Sequence, residues 1–552
     1  MNPKKTGYTM LTVSLTAALL ISACSNDGGS GTGEKPESSP GSDKKQPASP
    51  AVANLNETGF PIVNEPIQLT FFTGKDATNS NNFEETFVWK KYREKTNVNV
   101  KFQLVPFDSL TERRNLALAS GDYPDAFYTA RLTAADLTRY GAQGVIIPLN
   151  DLIAKYAPNF QKMLDKQPGL REGLTMPDGK IYSFPSYYSP DFYSILIGTP
   201  IWIKEEWLQK LGMKEPQTID QFYEYLKAVQ KTDLNGNGKQ DEVPFSGANI
   251  NILKYHLQGA WGLGTRGISN VFVDVDPATD KLRFFRTDPK YKEVLEFMHK
   301  LYKEGLIDPE ILTTNESAFR AKGSKGNFGS AIATNPISAF GLEGYIGLGA
   351  LEGPHGDKLY SHVKSPLVHV GAFAITNKNK HPEATVRWMD YFFSDEGAKF
   401  YFMGEEGVTY TKQPDGTLEY VEDITNNKDG LTSSQARAKY FTWNGGSYPG
   451  HVQSSYFKDQ PNAIAHGEKV KPYGPKEVWN PFPFTDAEND FRSTVGNDIH
   501  TYITEMEAKF IVGDEPFSKW DDYAKTNMSF KAQLQHENEQ RAFIAGYAIP
   551  YF

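Results

Sequence analysis

Cysteine is all but missing from this chain of 552 residues: it has one, Cys24. A lone thiol excludes an intramolecular disulfide, so stability has to come from core packing, with a metal as the other available staple. Positive charge is also in deficit, with 58 Lys and Arg against 67 Asp and Glu and a net charge of -9. That balance disfavours nucleic acid or an anionic membrane surface as partner. It leaves an acidic ligand open, because a cleft can be locally basic inside an acidic protein. The ten histidines are scattered, with no His-Glu-x-x-His and no other paired spacing for zinc. No Gly-x-Ser-x-Gly elbow and no Walker-type phosphate loop occurs. The enzyme class left standing is a polysaccharide hydrolase or lyase, whose carboxylate pair assembles only across the fold.

Long apolar runs are scarce as well, and the first one has a topological meaning. Lys4 and Lys5 precede the apolar stretch from Met10 to Ile21, which is too short to span a bilayer comfortably, and small Ser22 and Ala23 lead into Cys24. This is the layout of a cleaved export signal over residues 1–23. Ile21-Ser22-Ala23-Cys24 looks like a bacterial lipobox, in which the cysteine is acylated and becomes the mature N-terminus. Several acyl chains anchor firmly where one holds only marginally. The chain is thus expected on the cell membrane, lipid-anchored on the extracytoplasmic face. Residues 24–58, rich in Ser, Gly, Pro, Lys and Glu, read as a disordered tether.

The rest is ordinary globular composition, 39% hydrophobic and 23% charged, long enough for two or three domains. Strand and helix patterns alternate. Ile67–Phe72, Val98–Phe102 and Ala126–Tyr128 read as strands, separated by helical patterns over Phe83–Glu94 and Leu110–Ala119. A further strand is expected over Gly179–Pro185 and helices over Lys204–Leu211, Ile219–Lys231 (capped by Thr218) and Tyr291–Glu304. His369–Thr376 is strand-like, Pro382–Phe393 helical, and the C-terminal region, Asp486–Phe510 and Pro516–Ala545, mostly helical. Strands spaced by helices argue for parallel βαβ units and an α/β class.

The sharpest chemical motif runs from Asp233 to Glu242. Asp233, Asn235 and Asn237 offer side-chain oxygens at alternate positions, Gly238 permits a sharp turn, the Lys239 carbonyl follows, and Asp241 and Glu242 close the set. Calcium wants six to eight oxygens, and such a loop supplies them. An EF-hand takes its last carboxylate at position twelve, whereas Glu242 falls at ten and Val243-Pro244-Phe245-Ser246 follows. The reading is therefore a structural Ca2+ loop of another kind.

At this point the sequence resembles the extracellular solute-binding proteins of family 1, the maltose-binding-protein superfamily. Within it the chain looks like the calcium-containing branch that includes alginate-binding proteins and the LplA-type lipoproteins. Leu118 to Asp125 fits the turn "SGDxPD", Gly144 to Asp151 and Asp178 to Pro185 fit the segments that follow it, and the calcium loop matches closely. So do Leu301 to Glu310, and Ile375-Thr376-Asn377 through Asp395-Glu396-Gly397 to Val408. The resemblance implies a two-lobed, type II periplasmic-binding-protein-like fold with a hinge between the lobes and a helical C-terminal region. It places residues 59–187 and 370–430 in the N-terminal lobe, and residues 188–369 and 431–552 in the C-terminal lobe. It also implies a monomer that performs no chemistry: the substrate-binding lipoprotein of an ABC importer, clamping an oligosaccharide and docking on membrane permease subunits. A peptide- or other-solute-binding member of the same fold is the alternative reading.

Sugar clefts use aromatic faces and planar polar groups, and the chain is 13% aromatic. The candidates for ligand contact lie in loops at strand ends: Lys75, Asp76, Asn79 and Asn81, then Tyr128 and Arg131, then Tyr187 and Tyr188. Trp261 and Trp443, each set among glycines, complete the group. Trp443 ranks highest, since related proteins place an aromatic in that part of the chain.

Overall fold

In the computed structural model of the protein, the described residues are 53–532, apart from 415 and 457–460. The export signal, Cys24, most of the expected tether and the last expected helical residues, 533–545, lie outside them. Fourteen strands are described among these residues: β1 (Ile67–Lys75), β2 (Val98–Pro106), β3 (Ala126–Leu132), β4 (Phe184–Tyr188), β5 (Ile201–Lys204), β6 (Val243–Ser246), β7 (Val273–Asp276), β8 (Lys281–Phe284), β9 (Phe328–Ile332), β10 (Tyr345–Gly347), β11 (Leu367–Ile375), β12 (Tyr410–Lys412), β13 (Leu418–Tyr420) and β14 (Gly450–Val452).

The opening strand shows why the first sheet forms. Ile67, Leu69 and Phe71 to Lys75 are all buried, so β1 is covered on both faces, as an interior strand of an α/β sheet must be. It pairs in parallel with β2 in unbroken register from Ile67↔Val98 to Lys75↔Pro106, and in parallel with β3 on its other side. The crossover helices Phe87–Thr96 and Phe107–Ser120 supply the connections that parallel pairing demands. The finished sheet has six strands in the order β14-β4-β11-β3-β1-β2. A second sheet has four, in the order β10-β5-β9-β6.

Each sheet has its own core. The first is dense in aromatic rings: Phe71, Trp89, Phe102, Tyr128 and Trp388 interlock, with Trp89 and Trp388 stacked at 5.3 Å. The second gathers Trp207, Phe222, Tyr225, Leu226, Val229, Tyr291, Leu295 and Met298. The helix Ile219–Lys231 illustrates how it is built. Thr218 accepts the Gln221 amide at 3.1 Å, and the buried residues Ile219, Phe222, Tyr225, Leu226 and Val229 fall on one face.

The C-terminal helix Asn497–Val512 packs on this second core and carries a buried carboxylate, Glu507. Glu507 meets the Lys254 ammonium directly and Arg286 Nη1 at 3.4 Å, while Arg286 Nε donates to the Val271 carbonyl at 2.9 Å. Burial pulls Lys254 down to about 8, against the pull of Glu507. Removing one member of such a set leaves an uncompensated buried charge, which costs about 3–5 kcal/mol.

Two boundaries differ from the expectation. Residues 53–58 are not all tether: Leu55 is buried in the first core and bridges to Val63, and the Asn56 amide donates to the Ile62 carbonyl at 2.9 Å. An apolar residue in a polar tract was enough to fold its end back. Residues 431–452, expected in the second lobe, stay with the first sheet, because β14 pairs in parallel with β4 from Gly450↔Ser186 to Val452↔Tyr188.

Three histidines, His362 and His466 buried and His256 partly so, lie around the segments that join the two sheets. His256 donates to the Thr199 carbonyl at 2.9 Å and His466 to the Leu348 carbonyl at 3.0 Å, and His256 lies 4.3 Å from His362 between ring centroids. Burial lowers His256 to about 4 and His466 to about 3, and holds His362 well below the usual range. Their contribution is whole above pH 6.5, where both folded and unfolded rings are neutral. It is lost as pH falls toward 4, because only the unfolded chain takes up protons, at about 1.4 kcal/mol per unit per group. Melting temperature should therefore fall steadily from pH 6.5 to 4.5, and less steeply in His466→Gln; a flat profile over that window contradicts neutral burial.

Candidate functional site

The carboxyl ends of β1 and β3 open on one side of the first sheet, where parallel sheets place their ligand loops. The residues after β1 are pinned from two directions. Lys75 Nζ donates to the Asn79 carbonyl at 3.2 Å and to Asn81 Oδ1 at 2.7 Å. Asn79 Nδ2 donates to the carbonyls of Thr442 and Asn444, both at 3.1 Å. Asp76 accepts from the Thr78 amide and hydroxyl at 2.9 and 2.6 Å. A segment hundreds of residues away thus forms the rim of the same loop.

Arg131, near the end of β3, faces that rim. Its Nε donates to Ser447 Oγ at 2.9 Å, and its guanidinium lies 3.9 Å from the Phe107 ring centre. The same Ser447 hydroxyl lies 3.3 Å from His369 Nε2 in β11. Burial, with Arg131 and Lys364 as neighbouring positive charges, lowers His369 to about 4. The backbone here is costly. Thr129, Arg131 and Ser447 have φ of 51°, 52° and 62°, a region that non-glycine residues rarely occupy. The Thr129 hydroxyl donates to the Gly74 carbonyl at 2.6 Å. Gly74 cannot be replaced there, since a Cβ would sit 2.5 Å from the Thr129 carbonyl oxygen.

Of the residues singled out from sequence, Lys75, Asp76, Asn79, Asn81 and Arg131 are brought together with the segment that holds Trp443. The tyrosines lie behind them. Tyr187 is buried beside His451 at 5.7 Å, and Tyr188 Oη lies 3.4 Å from Tyr448 Oη. Burial pushes Tyr187 up to about 12.

Two aromatic expectations, Tyr128 and Trp443, are corrected, and Trp261 lies elsewhere in the molecule. Tyr128 is fully enclosed, its ring among Phe71, Trp89 and Phe102 and its hydroxyl 2.6 Å from that of Tyr401, so it offers no face to a ligand. Trp443 is 6% exposed, packed against Phe402 with the Arg437 guanidinium 4.4 Å over its ring. It supports the rim from within, among the rings of Phe402, Phe441 and Tyr448. Trp261 belongs to the second core, where Nε1 donates to Glu293 at 2.9 Å. It lines a cavity of about 320 Å³ with Thr218, Asp220, Phe297 and Glu352, apart from the Arg131 group. Sequence reasoning did not bring His369 or Ser447 to Arg131; the left-handed backbone that places Ser447 there leaves no mark in sequence.

The Asp233–Glu242 loop forms at the C-terminal end of the helix Ile219–Lys231. Asp233 Oδ1 accepts from the Gly236 amide at 2.7 Å and Oδ2 from the Gly238 amide at 2.8 Å. Asp241 gathers the side-chain amides of Asn235 and Asn237 at 2.8 and 3.1 Å. Turning either amide by half a revolution presents an oxygen in place of the nitrogen. Glu242 Oε1 accepts from the Leu234 and Asn235 amides at 2.7 and 3.0 Å, while its Oε2 is buried without a hydrogen-bond partner. Among the described residues no three His, Cys, Asp or Glu side chains converge on a metal position. A cation here would draw on Asp233, Asp241 and Glu242 together with the Asn235 and Asn237 amides and the Lys239 carbonyl. That all-oxygen set suits a hard cation, and the orphaned Glu242 oxygen is the group that most needs one.

No helix among the described residues is long and apolar enough to cross a membrane. The chain is 30% identical over 497 residues to the fructooligosaccharide ABC transporter substrate-binding protein FusA of Streptococcus pneumoniae, covering 87% of this chain and 90% of that protein. It is 24% identical to lipoprotein LipO of Bacillus subtilis, over 77% of this chain and 82% of that one. The structure of FusA in complex with kestose superposes with a TM-score of 0.70 at 26% identity, over 87% of this chain and 98% of that one. An EF-hand mutant of FusA in complex with fructo-nystose gives the same figures. The fold is therefore the mixed α/β, periplasmic-binding-protein-like one that the motifs implied. The sequence profile for bacterial extracellular solute-binding proteins matches residues 77–399, and this chain belongs to that family.

Proposed function

We propose that the protein is the substrate-binding component of an ABC importer, capturing an oligosaccharide between two lobes and delivering it to a membrane permease. The observation that carries this reading is the likeness to FusA, which extends over both sheets rather than over one motif. The topology suits a clamp. Two cores with separate sheets are joined by the segments 189–200 and 348–366, with a further connection after β14. Rotation about those segments would close the Asp76–Asn79–Arg131 rim against the second lobe, a hinge motion. Ligand drives closure only through its higher affinity for the closed form. The lobe limits that fit this reading are residues 59–187 with 367–452 for the first, and 189–366 with the C-terminal helices for the second.

Acylation of Cys24 would hold this clamp at the extracytoplasmic membrane surface, close to its permease. Calcium in the Asp233–Glu242 loop would neutralise Asp233, Asp241 and Glu242 and brace the turn between the helix Ile219–Lys231 and β6.

A neutral and acidic oligosaccharide panel, with kestose and nystose included, tests capture by thermal shift. Ligand at about a hundred times its dissociation constant adds about 2.7 kcal/mol of stability. At least one glycan should raise the melting temperature; a response to peptides alone, or turnover of a glycan, would overturn the reading. Calcium at a similar excess should add a comparable amount, removed by chelator and absent in Asp233→Ala and Glu242→Gln. A chelator-insensitive melting curve would sink the metal assignment while leaving capture intact.

A further inference from the structure

Asn-Gly occurs three times in the chain, at Asn235, Asn237 and Asn444, and the fold treats the three pairs differently. A glycine after asparagine leaves its own backbone nitrogen unshielded, so that nitrogen can reach the carbonyl carbon of the asparagine side chain. Asn444 is denied this reach. Its side chain is buried, and Nδ2 donates to Thr78 Oγ1 at 3.2 Å and to the Ser434 carbonyl at 2.9 Å. A Cβ on Gly445 would stand 2.7 Å from the Phe107 ring, so the peptide there is wedged and cannot swing. Asn235 and Asn237 are exposed, and apart from chain neighbours nothing lies within 4 Å of where a Cβ on Gly236 or Gly238 would stand.

The hydrogen bonds around Asn237 suit an attack on its carboxamide. Oδ1 accepts from the Lys239 amide at 2.8 Å, a donor already set on the oxygen that takes negative charge when the carbon becomes tetrahedral. The Gly238 N–H donates to Asp233 Oδ2 at 2.8 Å, so the proton that nitrogen must shed faces a carboxylate. Asn235 has a weaker version. Its Oδ1 accepts from the Asn237 amide at 3.0 Å, but that amide is shared with Asp233 Oδ1 at 3.2 Å, and the Asn235 amide is itself held by Glu242 Oε1 at 3.0 Å. We infer that Asn237 is a site of spontaneous deamidation, with Asn235 slower and Asn444 protected. The Gly238 nitrogen loses its proton and bonds to Asn237 Cγ. The bond from Cγ to Nδ2 breaks, Nδ2 takes up a proton and leaves as ammonia, and a cyclic succinimide remains. Water opens the ring at either carbonyl, giving aspartate or isoaspartate at position 237. The change reaches the neighbours, because Asn237 Nδ2 donates to both oxygens of Asp241 at 3.1 Å. Deamidation replaces that donor with a negative charge facing Asp241, which loosens the loop without a cation and strengthens its pull on a hard one. The site itself does not depend on the calcium reading; only this last consequence rests on it.

Peptide mapping by mass spectrometry tests this on the full-length protein, aged in warm, mildly alkaline buffer with chelator. Asn237 should convert roughly ten-fold or more faster than Asn444. Isoaspartyl methyltransferase should label the peptide that spans 233–242, and Asn237→Gln should remove most of that label. In protein unfolded by urea the three Asn-Gly pairs should convert alike, since the fold alone separates them. Asn237→Asp, made directly, should melt below wild type in chelator and bind calcium more tightly than wild type. Conversion led by Asn444, or a 233–242 peptide left unchanged while the unfolded chain reacts, would overturn the site. Equal calcium affinity in Asn237→Asp and wild type would overturn the cation consequence. Calcium binding by neither would remove the metal reading and leave the deamidation site standing.

Discussion

The arrangement depends on one long-range pairing, the insertion of β11 between β4 and β3. Its residues lie some two hundred and forty positions after those of β3, yet Phe373, Ala374 and Ile375 pair with Tyr128, Phe127 and Ala126 in the middle of the first sheet. On its other side Leu367 and His369 pair with Tyr187 and Ser186. The chain must therefore leave the first sheet after β4, build the second, and return before the first is complete. Two adjacent joining segments are an unavoidable product of that order, and the Lys364–Leu196 hydrogen bond is where they touch. The polar residues at that contact, His362 and Lys364, are inherited from the way the chain returns to enter as β11.

The same entry explains why the rim is polar while the layer behind it is not. Interior strands of the first sheet are covered on both faces, so their side chains are spent on the core, and only residues at strand ends remain for a solute. Tyr128 lies one turn of the pleat too deep and joins Tyr401, while Arg131, three residues on, reaches the rim. Behind it, Tyr401, Tyr448 and Tyr188 continue as an aromatic wall with ring centres 6.0 Å apart at the Tyr401–Tyr448 step. Such a wall fixes the rim residues while presenting few ring faces itself.

What could be read beforehand follows from how local its cause is. The helix Ile219–Lys231 ended where its cap and period placed it, and β1, β2 and the start of β3 were visible as apolar runs between turn residues. The loop after β1 and Arg131 could be placed at strand ends, because a strand end is a local feature. Trp443 and Tyr128 were misread for the opposite reason: whether a ring faces solvent is decided by residues far away, Phe402 in one case and Tyr401 in the other. β14 is three residues long and pairs with a strand more than two hundred and fifty positions earlier, so no local pattern announces it.

The Asp233–Glu242 loop and the Trp261 cavity lie at opposite ends of the helix Ile219–Lys231, and helix length separates them. Helix Ile219–Lys231 has 13 residues, about 20 Å at 1.5 Å per residue. Its first turn, with Thr218 to Asp220, lines the Trp261 cavity, and Asp233 begins two residues past its other end. The loop then feeds β6, which runs back in parallel with β9 and ends at Ser246, so its donors sit at the entrance of that strand rather than at its exit. Ligand loops of parallel strands lie at the exits. A cation among Asp233, Asp241 and Glu242 would thus be held away from a solute at the strand exits. Its effect on capture would come only through keeping the helix and β6 in register, and so through the shape of the second lobe.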